Sequence, residues 1–234
     1  SKSGCAAPSA KTRFVQLGAV NATVTAMRMH PDSQIVWQQC ATALGGMSLF
    51  SGDVSKLAGE LGAVELIVNG MRRWRTDPSA QVGGLSGCFM DCNARNRARF
   101  ATAGGIELNL WSIRHFYNDS ATILQALYGF SSGTNRPNAK RFVDRGGLDL
   151  LLDVWRDPKH ASFPRVREEI AQAARHLSKD AAVGRPAVVE SGYIPLLLGA
   201  MEADMQDRLS SLRFPASAHL LTDFLTRRTR TCWT

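Results

Sequence analysis

The sequence has little of what marks a disulfide-bonded, membrane-spanning or low-complexity protein. Five of its 234 residues are cysteine, and an odd, irregular set of this size does not form a disulfide framework in so long a chain. No run approaches the eighteen apolar residues of a membrane span, and 9 Pro with 20 Gly exclude a collagen-like chain. We therefore expect a soluble, folded protein in a reducing intracellular compartment, cytoplasmic or organellar.

Signatures of catalysis and metal binding are also missing. The sequence has no phosphate-binding loop, dinucleotide fingerprint, zinc-protease helix or calcium loop. Residues 129–133 match the G-x-S-x-G pattern, but a nucleophile elbow follows a strand and this segment ends a predicted helix. Cys88 and Cys92 share one predicted helix without clustered histidines, which favours a core role over metal ligation. We expect a non-enzyme with no catalytic residue, metal or cofactor.

Positive charge is in excess. The 28 Lys and Arg residues outnumber the 20 Asp and Glu, giving a net charge of +8, and 22 of the 28 are Arg. This balance favours acidic partners, although GC-rich codon usage would also enrich Arg. Because the basic residues are not interleaved with aromatic ones, protein partners are favoured over nucleic acid. A membrane is expected only indirectly, through a complex.

A glycine turn recurs five times and defines an internal repeat. The spacings between successive turn glycines are 44, 42, 42 and 46 residues, close to the period of a two- or three-helix repeat. Apolar residues, large or small, stand four positions before each of the five glycines. Large apolar residues stand nine positions after each of them. The glycines are Gly18, Gly62, Gly104, Gly146 and Gly192; the first set is Phe14, Ala58, Phe100, Phe142 and Val188, and the second is Met27, Met71, Ile113, Trp155 and Met201.

Each repeat reads as three helices. A short first helix, capped by Asn96 or Asn138 in two repeats, leads to the glycine, which permits a tight reversal into the second helix. Leu148, Leu151, Leu152 and Trp155 form the buried stripe of one such second helix. Loops rich in Pro and Asp then cap a long third helix. In the first repeat this helix runs from Gln34 to Met47, with a predicted buried stripe of Ile35 or Val36, Cys40, Ala43, Leu44 and Met47.

The pattern of short helix, glycine turn, second helix and long third helix resembles the armadillo repeat. The HEAT repeat, which lacks the short first helix and the turn glycine, is the weaker match. The resemblance implies an all-α, right-handed solenoid of about five three-helix repeats that serves as a protein-binding scaffold. The expected organisation is an N-terminal extension (1–7), a repeat domain (8–226) with units at about 8–52, 53–93, 94–135, 136–180 and 181–226, and a basic tail (227–234).

The resemblance also places a partner surface. Third helices of the armadillo family line a concave groove, where the importin-alpha branch carries Trp and Asn residues that hold basic peptides. The corresponding positions here hold neither residue type, so binding of basic nuclear localisation peptides is disfavoured. The groove is instead expected to be lined by small and polar residues. Alternatively, these residues serve only to let neighbouring helices stack tightly. Its candidate residues are Gln38, Thr42, Asp91, Gln125, Gln172, His176, His219 and Asp223.

A second candidate surface is a basic edge. An arginine follows the large apolar position of the second helix in four repeats, at Arg28, Arg72, Arg114 and Arg156. Favourable interaction of these cations with the carboxyl end of their own helix explains the recurrence without a partner. Together with Arg73 and Arg75 they would also form an edge for an acidic protein.

Two functional hypotheses follow. The first is a scaffold or adaptor that binds a partner through the groove and the basic edge. The alternative is a constitutive subunit of a large organellar or membrane-associated complex. The chain starts with small and polar residues and without Met, as a processed or trimmed N-terminus would, which is compatible with import.

Overall fold

The computed structural model describes residues 13, 16–48, 51–87, 93–133, 136–161 and 163–206, with the backbone alone of 130–133, 136, 137, 161 and 201–206. Every regular element in this part is a helix. The helices are α1 (Ala19–Met29), α2 (Gln34–Ser48), α3 (Gly52–Glu60), α4 (Ala63–Arg73), α5 (Pro78–Gly87), α6 (Ala94–Thr102), α7 (Gly105–His115), α8 (Ser120–Gly133), α9 (Arg136–Asp144), α10 (Gly147–Arg156), α11 (Pro158–Ala161), α12 (Pro164–Ser178), α13 (Gly184–Glu190) and α14 (Tyr193–Gln206).

The chain divides into two compact halves, Ser1–Gly105 and Ile106–Thr234. In the N-terminal half, α2 and α5 pack along each other, α1 contacts α2, and α4 contacts both α2 and α5. In the C-terminal half, α8 packs along α12, and α10 and α13 also contact α12. Each half is therefore built around a pair of adjacent third helices.

The turn glycines adopt the backbone conformation that the sequence predicts. All five lie in the left-handed region, with φ between 69° and 85°, and among the described residues they are the glycines with positive φ. A side chain is strained there, whereas glycine is not. All five directly precede the first residue of a second helix. Gly18, Gly62 and Gly146 are the N-caps of theirs. The repeat period therefore reflects a steric requirement for glycine at each reversal.

The core positions on either side of each glycine are confirmed wherever side chains are described. Of the residues four positions before the glycine, Ala58, Phe100, Phe142 and Val188 are all buried. Of those nine positions after it, Met27, Met71, Ile113 and Trp155 are all buried. Phe14 lies outside the described residues, as do Cys88 and Cys92. The predicted stripe of α10 is also buried throughout.

Capping of the third helix by a loop aspartate is confirmed in the second and third repeats, whereas α12 begins after Phe163 without a side-chain cap. The Oδ1 atom of Asp77 accepts from the backbone N–H of Ser79 at 2.8 Å, and Asp119 accepts from Ala121 at 3.0 Å. Asp157 does the same for the short helix α11. These contacts satisfy N–H groups that have no partner within the helix.

Two local predictions are wrong. Asn96 does not cap α6: the cap is Asn93, whose side chain accepts from the Asn96 N–H, and Asn96 is buried and donates to the Ser55 carbonyl oxygen at 2.7 Å. Asn138 likewise lies inside α9 rather than at its start. Asn96 is interior because its amide binds a neighbouring first helix through Ser55.

The second correction concerns the buried stripe of α2. The residues that are buried are Trp37, Ala41, Leu44, Gly45 and Ser48. Of the predicted stripe only Leu44 is among them, while Ile35 is 75% exposed. The Trp37 ring fixes this register, because its Nε1–H donates to the Leu66 carbonyl oxygen at 3.1 Å in the core.

Glycines let α2 and α5 approach closely. A Cβ on Gly45 would lie 2.2 Å from the Ser86 carbonyl oxygen, and one on Gly83 would lie 2.5 Å from Cγ of Gln38. The next residue, Gly46, has open space around it. The two third helices thus approach closely at Gly45 and Gly83, while the surface of α2 at Gly46 is open.

None of the helices in the described ranges combines the length and apolar content that a bilayer crossing requires.

Candidate functional site

In the N-terminal half, the exposed face of α2 is the candidate groove surface. Ile35, Gln39, Thr42 and Gly46 are spaced four, three and four residues apart, which places them on one helix face, and all are exposed. Thr42 is thus accessible, and its assignment to a partner-binding groove stays a prediction. Gln38 lies at the border of this face, against Gly83 of α5. The face is small, carries no charge and includes one large apolar side chain.

In the C-terminal half, the candidate surface is formed by α8 and α12. Gln125 on α8 and both Gln172 and His176 on α12 are half-buried. The two helices pack against each other, so the structure brings these three predicted residues onto one adjacent helix pair. Arg165 of α12 crosses to α8, where its Nη2 donates to the Tyr128 hydroxyl at 2.7 Å.

Glu169 is the electrostatically perturbed group of this helix pair. Burial of its half-buried side chain, reinforced by the negative charge of Glu168, raises the pKa of Glu169 to about 7, while Arg165 acts in the opposite direction. Near neutral pH, this carboxyl group therefore exchanges between charged and neutral forms. A cation or a hydrogen-bond donor placed beside this carboxyl group would stabilise its charged form.

Sequence reasoning missed Arg165, Glu169 and Tyr128. The alignment with the armadillo family considers only the Trp and Asn positions, which are two residues in each third helix. These three residues lie at other positions of the same helices. Their signal was the charged and aromatic character of the helix surface around Gln125 and Gln172. Asp91, His219 and Asp223 lie outside the described residues, and their assignment to the groove stays a prediction.

The arginines of the predicted basic edge bind the next repeat. Arg72 Nη2 donates to the Ala103 carbonyl oxygen at 2.6 Å, and Arg114 Nη2 donates to that of Arg145 at 3.0 Å. Arg28 makes the equivalent hydrogen bond to Leu61. Each acceptor residue immediately precedes a turn glycine, at the carboxyl end of a first helix, where carbonyl groups lack helical partners. The side chains are exposed, yet each joins two repeats.

Other residues of the edge differ in their contacts. Arg73 forms an ion pair with Asp32 at 2.5 Å, donates to the Pro31 carbonyl oxygen and lies over the Trp74 ring at 5.4 Å. Arg75 is exposed. Arg156 is exposed and forms no hydrogen bond to a following turn in the part of the chain that the structure describes. The recurring arginines therefore serve repeat stacking first.

Among the described residues, no group of three or more His, Cys, Asp or Glu side chains is arranged to hold a metal ion. His160, one of the scattered histidines, is buried and packs edge-on against Tyr117 with ring centroids 5.1 Å apart. It is a packing residue of the short helix α11.

Solved structures share this fold. Two engineered proteins from the Northeast Structural Genomics Consortium are similar over 91% and 92% of this chain and 85% of their own, with 20% and 19% identity and TM-scores of 0.71 and 0.70. The designed armadillo repeat protein YIII(Dq.V1)4CPAF, in complex with the peptide (KR)4, is similar over 90% of this chain and 84% of its own, with 13% identity and a TM-score of 0.72. No family model and no curated protein matches the chain. The armadillo-like α-solenoid fold is confirmed.

Proposed function

We propose that this protein is a non-enzymatic scaffold that binds an extended segment of a partner protein along the exposed faces of its third helices. The observation that carries the proposal is the accessible, uncharged face of α2, which includes the small residues Thr42 and Gly46. Such a face leaves room for a peptide backbone and offers amide and hydroxyl groups to it. Armadillo-like folds commonly act as protein-binding scaffolds.

The groove is preferred to the basic edge because the edge already has a structural task. Arg28, Arg72 and Arg114 each donate to a neighbouring turn, so a partner that took their guanidinium groups would compete with repeat stacking. Arg75 and Arg156 are also exposed. We propose the edge as a secondary surface that attracts an acidic partner without forming its main contacts.

The expected partner segment is acidic or neutral. The designed neighbour binds (KR)4, a strongly basic peptide. This chain carries a net charge of +8, and the exposed face of α2 has no acidic residue to compensate a basic peptide. Long-range repulsion would therefore oppose (KR)4 and favour an acidic segment of equal length.

Peptide binding to the full chain tests this proposal. Fluorescence anisotropy with labelled (DE)4 and (KR)4 should show tighter binding of (DE)4. Thr42→Trp, which places a bulky ring on the exposed face of α2, should weaken binding by about tenfold, since a lost contact of about 1.4 kcal/mol has that effect. The matched control Thr25→Trp adds the same ring to the exposed side of α1 and should leave binding unchanged.

Equal effects of the two tryptophan variants, or tighter binding of (KR)4, would contradict the proposal. The alternative role as a constitutive complex subunit makes a different prediction. In that case neither peptide binds, and the native protein is recovered in one stoichiometric assembly that resists high salt.

A further inference from the structure

Three of the four junctions between successive repeats share a polar connector that the last junction lacks. Arg28, Arg72 and Arg114 each donate to the carbonyl oxygen that precedes the next turn glycine. Arg156 occupies the same position of α10, where the corresponding acceptor is the Ser191 carbonyl oxygen. Arg156 is exposed, and it forms no hydrogen bond or ion pair within the ranges that the structure describes. The fifth repeat is therefore not tied to the fourth in this way.

A second connector, an ion pair, also stops before the fifth repeat. Its acid stands three positions after one turn glycine, and its arginine stands five positions before the next. Two such pairs form, with nitrogen–oxygen distances of 4.0 and 2.5 Å: Arg99 with Glu65, and Arg141 with Glu107. In the fourth repeat the acid is Asp149, but Ala187 stands where the arginine would be. Asp149 is exposed and forms no ion pair in the described part of the chain.

The fifth repeat instead meets the fourth through a tyrosine with an unpaired hydroxyl group. Tyr193 begins α14 and is fully buried, with its ring centroid 5.9 Å from that of Trp155. Ala or Gly stands at the same position in the other four repeats. Among the described residues, the Tyr193 hydroxyl has no hydrogen-bond partner. Burying an unpaired hydroxyl costs free energy that a phenyl ring of the same shape does not.

These three features lie at one junction, where α13 and α14 meet the fourth repeat. The contacts that hold the two helices there include apolar packing: Val188 and Leu197 are buried, and α13 contacts α9 and α12. Folded proteins open locally in contiguous units, and the free energy of each opening depends on the interactions that are lost. Fewer polar connectors and a buried unpaired hydroxyl therefore lower the free energy of opening at this junction.

We propose that α13 and α14 open together as one unit, while α8, α9, α10 and α12 stay folded. Opening separates Tyr193 from Trp155 and returns the tyrosine hydroxyl to water. It also uncovers the carboxyl end of α12, where Gly184 packs so closely that a Cβ would lie 2.1 Å from the Leu177 carbonyl oxygen. The C-terminal half thus contains a conformational switch, and this proposal does not depend on peptide binding in the groove.

Native-state hydrogen exchange of the full chain, in increasing concentrations of urea below the unfolding transition, tests this unit. Amides of α13 and of residues 193–200 of α14 should exchange together and share one urea dependence, because a single opening exposes them all. Their protection at low urea should be lower than that of α10 and α12 by about tenfold or more.

Two substitutions should close the unit. Ala187→Arg supplies the missing arginine at a half-buried position, as Arg99 and Arg141 also are. It should slow exchange of α13 and α14 by about two- to fivefold, the effect of one exposed ion pair. The matched control combines Ala187→Arg with Asp149→Ala and should exchange as Asp149→Ala alone. Tyr193→Phe removes the unpaired hydroxyl and should slow exchange by about fivefold or more.

Equal protection of α12, α13 and α14 would overturn the proposal. Exchange that is graded residue by residue and independent of urea would also overturn it, since that pattern describes fraying of helix ends and not the opening of a unit. The proposal fails as well if Ala187→Arg leaves exchange unchanged, or slows it equally without the Asp149 carboxylate.

Discussion

At the scale of single residues, the molecule places charged groups where neighbouring repeats meet. Glu107 shows this most clearly: its Oε1 lies 2.5 Å from Arg141 Nε and 3.7 Å from Arg145 Nη2, both from the following repeat. In the N-terminal half, Arg99 lies 4.0 Å from Glu65 in the equivalent arrangement. Exposed ion pairs contribute little individually. Their recurrence at one register position nonetheless gives each repeat a preferred orientation on the next.

The arginines after the large apolar position should contribute measurably to stability. Removing a hydrogen bond from a charged donor costs about 1 kcal/mol at an exposed site, so Arg72→Ala and Arg114→Ala should each lower the free energy of unfolding by that amount. Arg156→Ala removes the same charge without this hydrogen bond and should cost less. Urea denaturation checks the three variants. Equal losses in all three would show that the hydrogen bonds to the turns carry no stability.

Glu169 should make the protein less stable as the pH rises. Its pKa in the folded protein is about 7, above its ordinary value of 4.5, so between these values the folded state binds a proton that the unfolded state has lost. Stability therefore falls as the pH increases from about 4.5 to 7. Glu169→Gln should reduce this fall and stabilise the protein at pH 8 by about 1 kcal/mol, allowing for its partial exposure.

Urea denaturation of Glu169→Gln across this pH range provides the measurement. Glu190→Gln, at the exposed end of α13, is the control and should follow the wild-type profile. A Glu169→Gln profile parallel to that of the wild type would show that the pKa of Glu169 does not set the pH dependence.

At the scale of elements, the contact between α2 and α5 depends on which glycine faces the neighbour. Gly45→Ala would place a methyl group 2.2 Å from the Ser86 carbonyl oxygen, and this backbone atom cannot move aside as a flexible side chain can. We therefore expect the free energy of unfolding to fall by about 1 to 3 kcal/mol. Gly46→Ala meets open space and should stabilise the helix by up to about 1 kcal/mol. Urea denaturation of both variants should give changes of opposite sign. A neutral Gly45→Ala would mean that the two helices do not approach this closely.

Much of this architecture could be predicted from the sequence because a local rule repeats. Each reversal needs a residue that tolerates positive φ, and glycine recurs there in every repeat. The stripe of α2 could not be assigned, since both sides of the helix carry apolar residues and burial depends on the neighbouring repeat. The hydrogen bond from Arg72 to Ala103 could not be predicted either. The recurring arginines are explained equally well by interaction with the carboxyl end of their own helix.

At the scale of the whole molecule, the groove residues depend on elements far apart in sequence. The repeat assigns Thr42 and Gln172 to third helices, whereas the exposure of each side chain and the pKa of Glu169 depend on how neighbouring helices pack. An armadillo-like array holds each third helix in place through its neighbours. A binding surface built this way should respond to a ligand along third helices and not along second helices.

Hydrogen–deuterium exchange of the full chain, with and without bound (DE)4, measures this response directly. Within the half that binds it, the peptide should slow exchange in the third helices, α2 and α5 or α8 and α12, while the second helices α1, α4 and α10 exchange as in the free protein. Protection concentrated at the carboxyl ends of the second helices, where Arg28, Arg72 and Arg114 lie, would contradict it and identify the basic edge as the binding surface.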